Sequence, residues 1–303
     1  MPPKKRKISD LTANDVNALS LTLNEFQMAL VEDDEDLPPG LITALEQFRE
    51  KLQVVKHVSF SKVDSFVLLQ VNIKSGPLFL VPEKKALAEE LGSAEIGDRA
   101  LSMKVLKELI ELVRKHVSVT TEAGCRVLIN LVLLRVASAM STDQMDVNII
   151  PEYPIPKTLF LGNHSFGGVV DFLMTKLPER YTSFLLDDPV TALGNPTAID
   201  GPVTSNIFEA KRDNVRAAIP PAVIAAASHC SQHGISVLRG CITSGEQWVF
   251  FVYSATSGGG GSVSCSNQYE IGPQYEGLPL ILGLLHDWVD NAENLQQVYF
   301  TSK

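Results

Sequence analysis

The sequence predicts an α/β fold: a central mixed sheet flanked by helices, preceded by a mostly helical accessory region. Three observations predict it. From residue 119 onward, helically spaced apolar segments alternate with runs rich in Val, Ile and Phe, in the order helix, strand, strand, strand, helix, strand, strand, helix. The stretch "TEAGCRVLINLVLLRVASAM" (121–140) is almost wholly apolar in its middle, as a helix buried against a sheet must be. Two of the strands carry carboxylates within otherwise apolar runs, "GGVVDF" (167–172) and "NIFEAK" (206–211).

Residues 1–37 read as a tail, disordered over 1–9, with a short helix over 11–31 behind Thr12 and Asp15. The acidic run "EDDED" (32–36) and "LPPG" (37–40) end it. Residues 38–118 form the accessory region. "LITALEQFREKLQVV" (41–55) predicts an amphipathic helix, and 57–73 with "GPLFLV" (76–81) predicts a hairpin from their β-branched and aromatic content. Residues 99–117 predict a helix with Leu101, Val105, Leu109 and Val113 on one face. No chemistry is assigned to this region.

Residues 119–303 form the second domain. Thr120 or Thr121 caps the helix over 121–140. Strands follow at 145–155 and 167–177, then a long loop containing Pro and Gly, then a strand at 205–211. "IPPAVIAAASHCSQHG" (219–234) is a helix opened by proline and closed by glycine. Residues 236–255 are two strands about a turn at Ser244-Gly245, and 278–295 is a final amphipathic helix. "SGGGGS" (257–262) has the composition of a flexible linker, either a natural hairpin tip or an engineered replacement of a longer loop.

The chain has 303 residues, 45% of them hydrophobic and 20% charged, the composition of an ordinary globular protein with a substantial core. The longest apolar stretch (127–140) is broken by Asn130 and Arg135, and no membrane span is expected. No apolar segment follows the N-terminus, so Cys125, Cys230, Cys241 and Cys265 are expected as reduced intracellular thiols. A net charge of -9 argues against a polycation that coats nucleic acid. The basic run Lys4, Lys5, Arg6 and Lys7 nevertheless resembles a nuclear-import signal read by importin, which makes the nucleus the expected location.

The carboxylate-bearing strands carry the chemistry. Asp171 lies between Val170 and Phe172, and a charge buried there is costly unless something pairs with it. Glu209 and Lys211 lie two apart, so a strand turns both to one face. If the two strands are neighbours, Asp171 and Glu209 converge on a divalent cation. Such an oxygen-only site suits Mg²⁺ or Mn²⁺ better than zinc, with the Ala210 carbonyl as a further ligand. It suits phosphodiester hydrolysis: the ion neutralises the scissile phosphate and acidifies a water, and the lysine orients or deprotonates that water and stabilises the transition state.

This pattern, "GGVVDF … FEAKRDN" followed by "GCITSGEQW", resembles the PD-(D/E)XK, or restriction-endonuclease-like, nuclease superfamily over about residues 119–295. More narrowly it is similar to nuclease-like proteins common in fungi, some fused to Crinkler-type effectors. The resemblance implies Asp171 as the metal-binding aspartate, Glu209 and Lys211 as the E-x-K pair, and Glu122 as an additional metal-site glutamate on the preceding helix. Two features depart from the family pattern. Residues 183–201 stand where many members have a short turn, and Pro220-Pro221 stand where related sequences carry a glutamine. The expected function is a metal-dependent endonuclease, with DNA the expected substrate. The alternative is a catalytically inactive nuclease-fold module that binds nucleic acid or a protein partner in the nucleus, including as an effector.

Other residues carry weaker expectations. Arg212, Arg216 and the N-terminal end of the 219–233 helix are candidate phosphate contacts, with Lys211 and Arg239 adding to the local positive charge. His229 and His233, four apart on a helix, offer two imidazoles to zinc or stand as surface histidines before Gly234. The second is expected, since no His-Glu-x-x-His pattern accompanies them. His286-Asp287 is a weak match to an HD phosphohydrolase. Asp187-Asp188 is a turn initiator or a second metal contact, and Glu152 either supports the site or faces solvent.

Overall fold

The computed structural model describes residues 56–95, 101–160, 164–195, 197–257, 260–296 and 298–301. The chain divides into two compact units, residues 1–56 and 57–303. The Lys4–Lys7 run, the acidic run and the helices expected over 11–31 and 41–55 lie outside the described residues.

The second unit is α/β, with a mixed sheet of nine strands flanked by helices. In chain order its elements are β1 (Lys56–Ser59), α1 (Ser65–Gln70), β2 (Ile73–Leu80), α2 (Lys85–Ser93), α3 (Met103–His116), α4 (Glu122–Met140), β3 (Met145–Phe160), β4 (His164–Pro178), α5 (Thr182–Asp187), α6 (Pro189–Gly194), β5 (Thr204–Ala210), α7 (Ile219–His233), β6 (Val237–Thr243), β7 (Gln247–Ala255), β8 (Gly261–Glu270), α8 (Leu278–Asp290) and β9 (Phe300–Thr301). The strands lie in the order β1-β4-β5-β6-β7-β8-β2-β9, with β3 also paired to β4. The segment β3-β4-β5-β6 that holds the carboxylates is antiparallel, antiparallel, then parallel.

Strand alternation divides the interior into two hydrophobic layers. Phe208, Cys241 and Phe250 face a layer closed by α3, α4 and α8, where Leu106, Ile110, Leu128, Val132 and Trp288 pack. Their neighbours Ile207, Ile242 and Phe251 face the opposite layer, closed by α7 through Val223, Ile224 and Ala227. Each large apolar side chain so buried contributes about 1.5–3 kcal/mol relative to exposure.

Four expectations change at the level of elements. The hairpin over 57–81 does not form. Asp64 accepts the Val67 N–H at 2.9 Å and caps α1, and β2 pairs instead in parallel with β8, Ile73 opposite Gly261. Part of the glycine-rich run is therefore strand. On α3 the buried stripe is Met103, Leu106, Ile110 and Val113, and Val105 is turned outward. The loop over 183–201 carries α5 and α6, with Asp188 accepting the Thr191 N–H as the cap of α6. Finally α4, 19 residues long, passes by length and composition alone for a bilayer-crossing helix, where the sequence reads as too short and polar; 61% of its 18-residue apolar window is buried, as in a core helix.

The part of the accessory region that lies in the second unit, from residue 57 on, is continuous with the sheet. Besides the β2–β8 pairing, α2 crosses α8 at Gly92 and Gly283. A Cβ at Gly283 would lie 1.9 Å from the Ala88 carbonyl oxygen, so only glycine permits this approach. The compact unit that holds the sheet begins at His57 and takes in elements on both sides of residue 118.

Candidate active site

Asp171 and Glu209 come together because β4 and β5 are antiparallel neighbours. Phe172 is opposite Phe208, which sets Asp171 beside Glu209 one residue further along. Asp171 Oδ2 accepts the N–H of Ala210, the residue between Glu209 and Lys211, at 2.7 Å. Lys211 follows the end of β5, where its own N–H bonds the Thr243 carbonyl at 2.8 Å and continues the pairing with β6. The β6–β7 turn beside it is fixed by Gly245 at φ 87° and by the Trp248 indole N–H donating to the Gly245 carbonyl at 2.9 Å.

The third wall is the first turn of α4. Thr121 caps the helix by accepting the Gly124 N–H, which resolves the choice between Thr120 and Thr121. Glu122 occupies the first turn, and Arg126, four residues on, shares its face. The guanidinium of Arg126 pairs with the carboxylates of Asp171, Glu152 (3.0 Å) and Glu122 (3.2 Å). Lys211 Nζ donates to Glu209 Oε1 at 2.9 Å and to the Ala210 carbonyl at 2.8 Å, and stands 3.6 Å from Glu122. Glu152 projects from β3 at φ 52°, a left-handed backbone rare for a side chain of its size and found at constrained sites. A cavity of about 220 Å³ opens here, lined by Arg126, Asn130, Pro151, Glu152, Asp171 and Phe172.

The electrostatics follow from four carboxylates facing two cations. Burial and the neighbouring Asp171 push the Glu209 carboxyl up to about 7, against the pull of Lys211. Burial likewise raises Asp171, although the Ala210 N–H and Arg126 oppose it. Burial works against the charge on Lys211, but Glu209, Glu122 and Asp171 together more than offset it and hold the ammonium above its ordinary value. Lys211 is thus held as a cation in this arrangement. Arg126 is held up in the same way, chiefly by Asp171 and Glu152.

Among the described residues, no group of three or more His, Cys, Asp or Glu side chains is placed to hold a metal ion. The cause is visible in the pairing: Arg126 and Lys211 are interleaved between Glu122, Asp171 and Glu209. The donor chemistry nonetheless suits a hard divalent cation. The donors are all oxygen, negative groups outnumber positive ones, and Glu209 is pressed toward its neutral form by burial and by the neighbouring Asp171. Asp171, Glu209 and Glu122 are the residues that would hold it.

The remaining candidates separate. Arg212 is exposed and paired with Asp213 at 2.8 Å; Arg216 is exposed and donates to the Ser266 carbonyl at 2.9 Å. Arg239 makes no surface contact: it is fully buried, paired with Asp287 at 2.8 Å and stacked on Trp288. That pair also accounts for the His286-Asp287 match, since both residues are buried in α8. The start of α7 offers few donors for phosphate, because Pro220 and Pro221 lack N–H groups and are buried. His229 is buried, not on the surface; its ring lies 4.2 Å from that of His233, and burial lowers its pKa to about 3. All four cysteines are free thiols.

Arg126 is the residue that sequence reasoning missed. Its signal was present: Glu-x-x-x-Arg at the start of a helix already assigned a site glutamate sets the arginine over that glutamate. No known family model matches the chain, and no curated protein compared with it is similar.

Proposed function

We propose that the chain is a divalent-metal-dependent nuclease of the PD-(D/E)XK type. The observation that carries this reading is the bond from the Ala210 N–H to Asp171, which ties the aspartate of one strand to the middle of the E-x-K triplet of the next. Asp171, Glu209 and Glu122 would hold Mg²⁺ or Mn²⁺, which supplies charge neutralisation at a phosphate and a more acidic bound water. Lys211, kept protonated by Glu209 and Glu122, contributes positive charge to the phosphoryl oxygens as negative charge builds on them. Arg212 and Arg216, exposed beyond β5, would meet the flanking DNA backbone, and Lys4–Lys7 would direct the chain to the nucleus through importin.

The purified protein is expected to nick supercoiled plasmid with Mg²⁺ or Mn²⁺. Glu209→Gln and Lys211→Met should lose at least about a hundredfold in rate while keeping the wild-type circular dichroism spectrum. Equal cleavage by wild type and both variants removes the assignment. For the import run, a fluorescent fusion carrying Lys5→Ala and Arg6→Ala should leave the nucleus; an unchanged distribution rejects that part.

A second reading, an idle nuclease-fold module that binds nucleic acid or a protein, is favoured by one observation. A guanidinium already neutralises the carboxylates that a metal would need. It predicts no Mn²⁺ isotherm in calorimetry, and a clear isotherm lost in Asp171→Ala rejects it.

A further inference from the structure

The side chain of Arg126 has no role in the nuclease reading above, yet it is the most connected charge in the site. Its terminal nitrogens reach Asp171, Glu122 and Glu152, from a strand pair and from its own helix. Asp171 is 8% exposed, so an ionised carboxylate there requires a counter-charge. Arg126 supplies it at Oδ1, while Oδ2 is taken by the Ala210 N–H. The Nε of Arg126 is buried and has no hydrogen-bond partner among the described residues. The side chain is therefore tethered through its tip alone, and two of its partners, Asp171 and Glu122, are groups that a divalent cation would also engage.

We propose that Arg126 is a resident counter-ion that competes with the divalent metal, so that metal binding requires its guanidinium to leave Asp171 and Glu122. This rests on the nuclease reading and deepens it. Three consequences follow from charge and reach. With Arg126 in place, the metal must displace a guanidinium whose planar fork bridges several carboxylates. Removing the side chain frees the oxygens and leaves the carboxylates repelling one another, which raises their demand for a cation. A lysine at this position carries the same charge at a single point and cannot span all three partners, so it competes less. Glu152, exposed and held at its left-handed φ, offers an alternative anchor for the displaced guanidinium outside the Asp171 pocket.

The test is calorimetric titration of the full chain with MnCl₂ alone, alongside thermal melts in EDTA and in Mn²⁺. The wild type, Arg126→Met and Arg126→Lys are compared, with Arg126→Met/Asp171→Asn as the control. Arg126→Met should bind Mn²⁺ at least about tenfold more tightly than the wild type, with Arg126→Lys between them and the control losing the gain. In EDTA, Arg126→Met should melt below the wild type and regain the difference in Mn²⁺. A purely structural arginine predicts the opposite, with affinity falling along with stability. If Arg126→Met fails to fold, Arg126→Lys decides: affinity above the wild type supports the proposal, and affinity equal or lower overturns it. Wild-type binding with no gain in either variant overturns the competition while leaving the nuclease site standing. No binding by any form overturns both.

Discussion

Glu209 and His229 make opposite demands of pH. The Glu209 carboxyl moves from an ordinary 4.5 to about 7 in the folded protein, so folding favours its protonated form. Its contribution is complete below about 4.5 and is lost as pH rises toward 7. His229 moves from 6.5 down to about 3, so folding favours the neutral ring. That contribution is complete above 6.5 and is lost as pH falls toward 3. At ~1.4 kcal/mol per pKa unit, each effect amounts to a few kcal/mol. Urea midpoints measured from pH 4 to 8 should therefore fall away on both sides. Glu209→Gln should flatten the high-pH side, and His229→Gln the low-pH side. A wild-type profile retained in either variant would assign the slope to other groups.

Periodicity and end signals made most elements legible. The buried middle of α4, the proline and glycine ends of α7 and the charged interruptions in β4 and β5 each have a local cause that a short window contains. The failures have non-local causes. Ser65–Gln70 is rich in strand-forming residues, yet Asp64 caps it into a helical turn, and the partner of β2 lies at Gly261–Ser266, far along the chain. The glycine-rich run concealed the start of β8 because flexibility is a property of the unfolded segment, and pairing with Ile73 removes it. In the site, Asp171, Glu209 and Lys211 were legible as types on adjacent strands. Arg126 was not, because its importance lies in three carboxylates brought from different elements. At this scale α2 packs closely against α8 through Gly92 and Gly283. Gly283→Ala should force the helices apart and cost about 1–3 kcal/mol, read as a lowered urea midpoint with the fold retained. An unchanged midpoint would show that the crossing yields freely.

For the whole molecule, the compact unit begins at His57, and the sheet is incomplete without its N-terminal strands. A fragment covering 119–303 retains every proposed catalytic residue but lacks β2, leaving the edges of β8 and β9 unpaired. It is expected to aggregate or melt without a cooperative transition, whereas 57–303 should unfold cooperatively; a sharp transition for the shorter fragment would contradict this. The same threading governs how the protein is made. The "IKSGPLFL" segment of β2 leaves the ribosome well before its two neighbours, β8 and β9, are made. Until they follow it is a sticky strand without a mate, so a chain stalled or terminated before them exposes it permanently, and chaperone holding during synthesis becomes part of the cost of this topology.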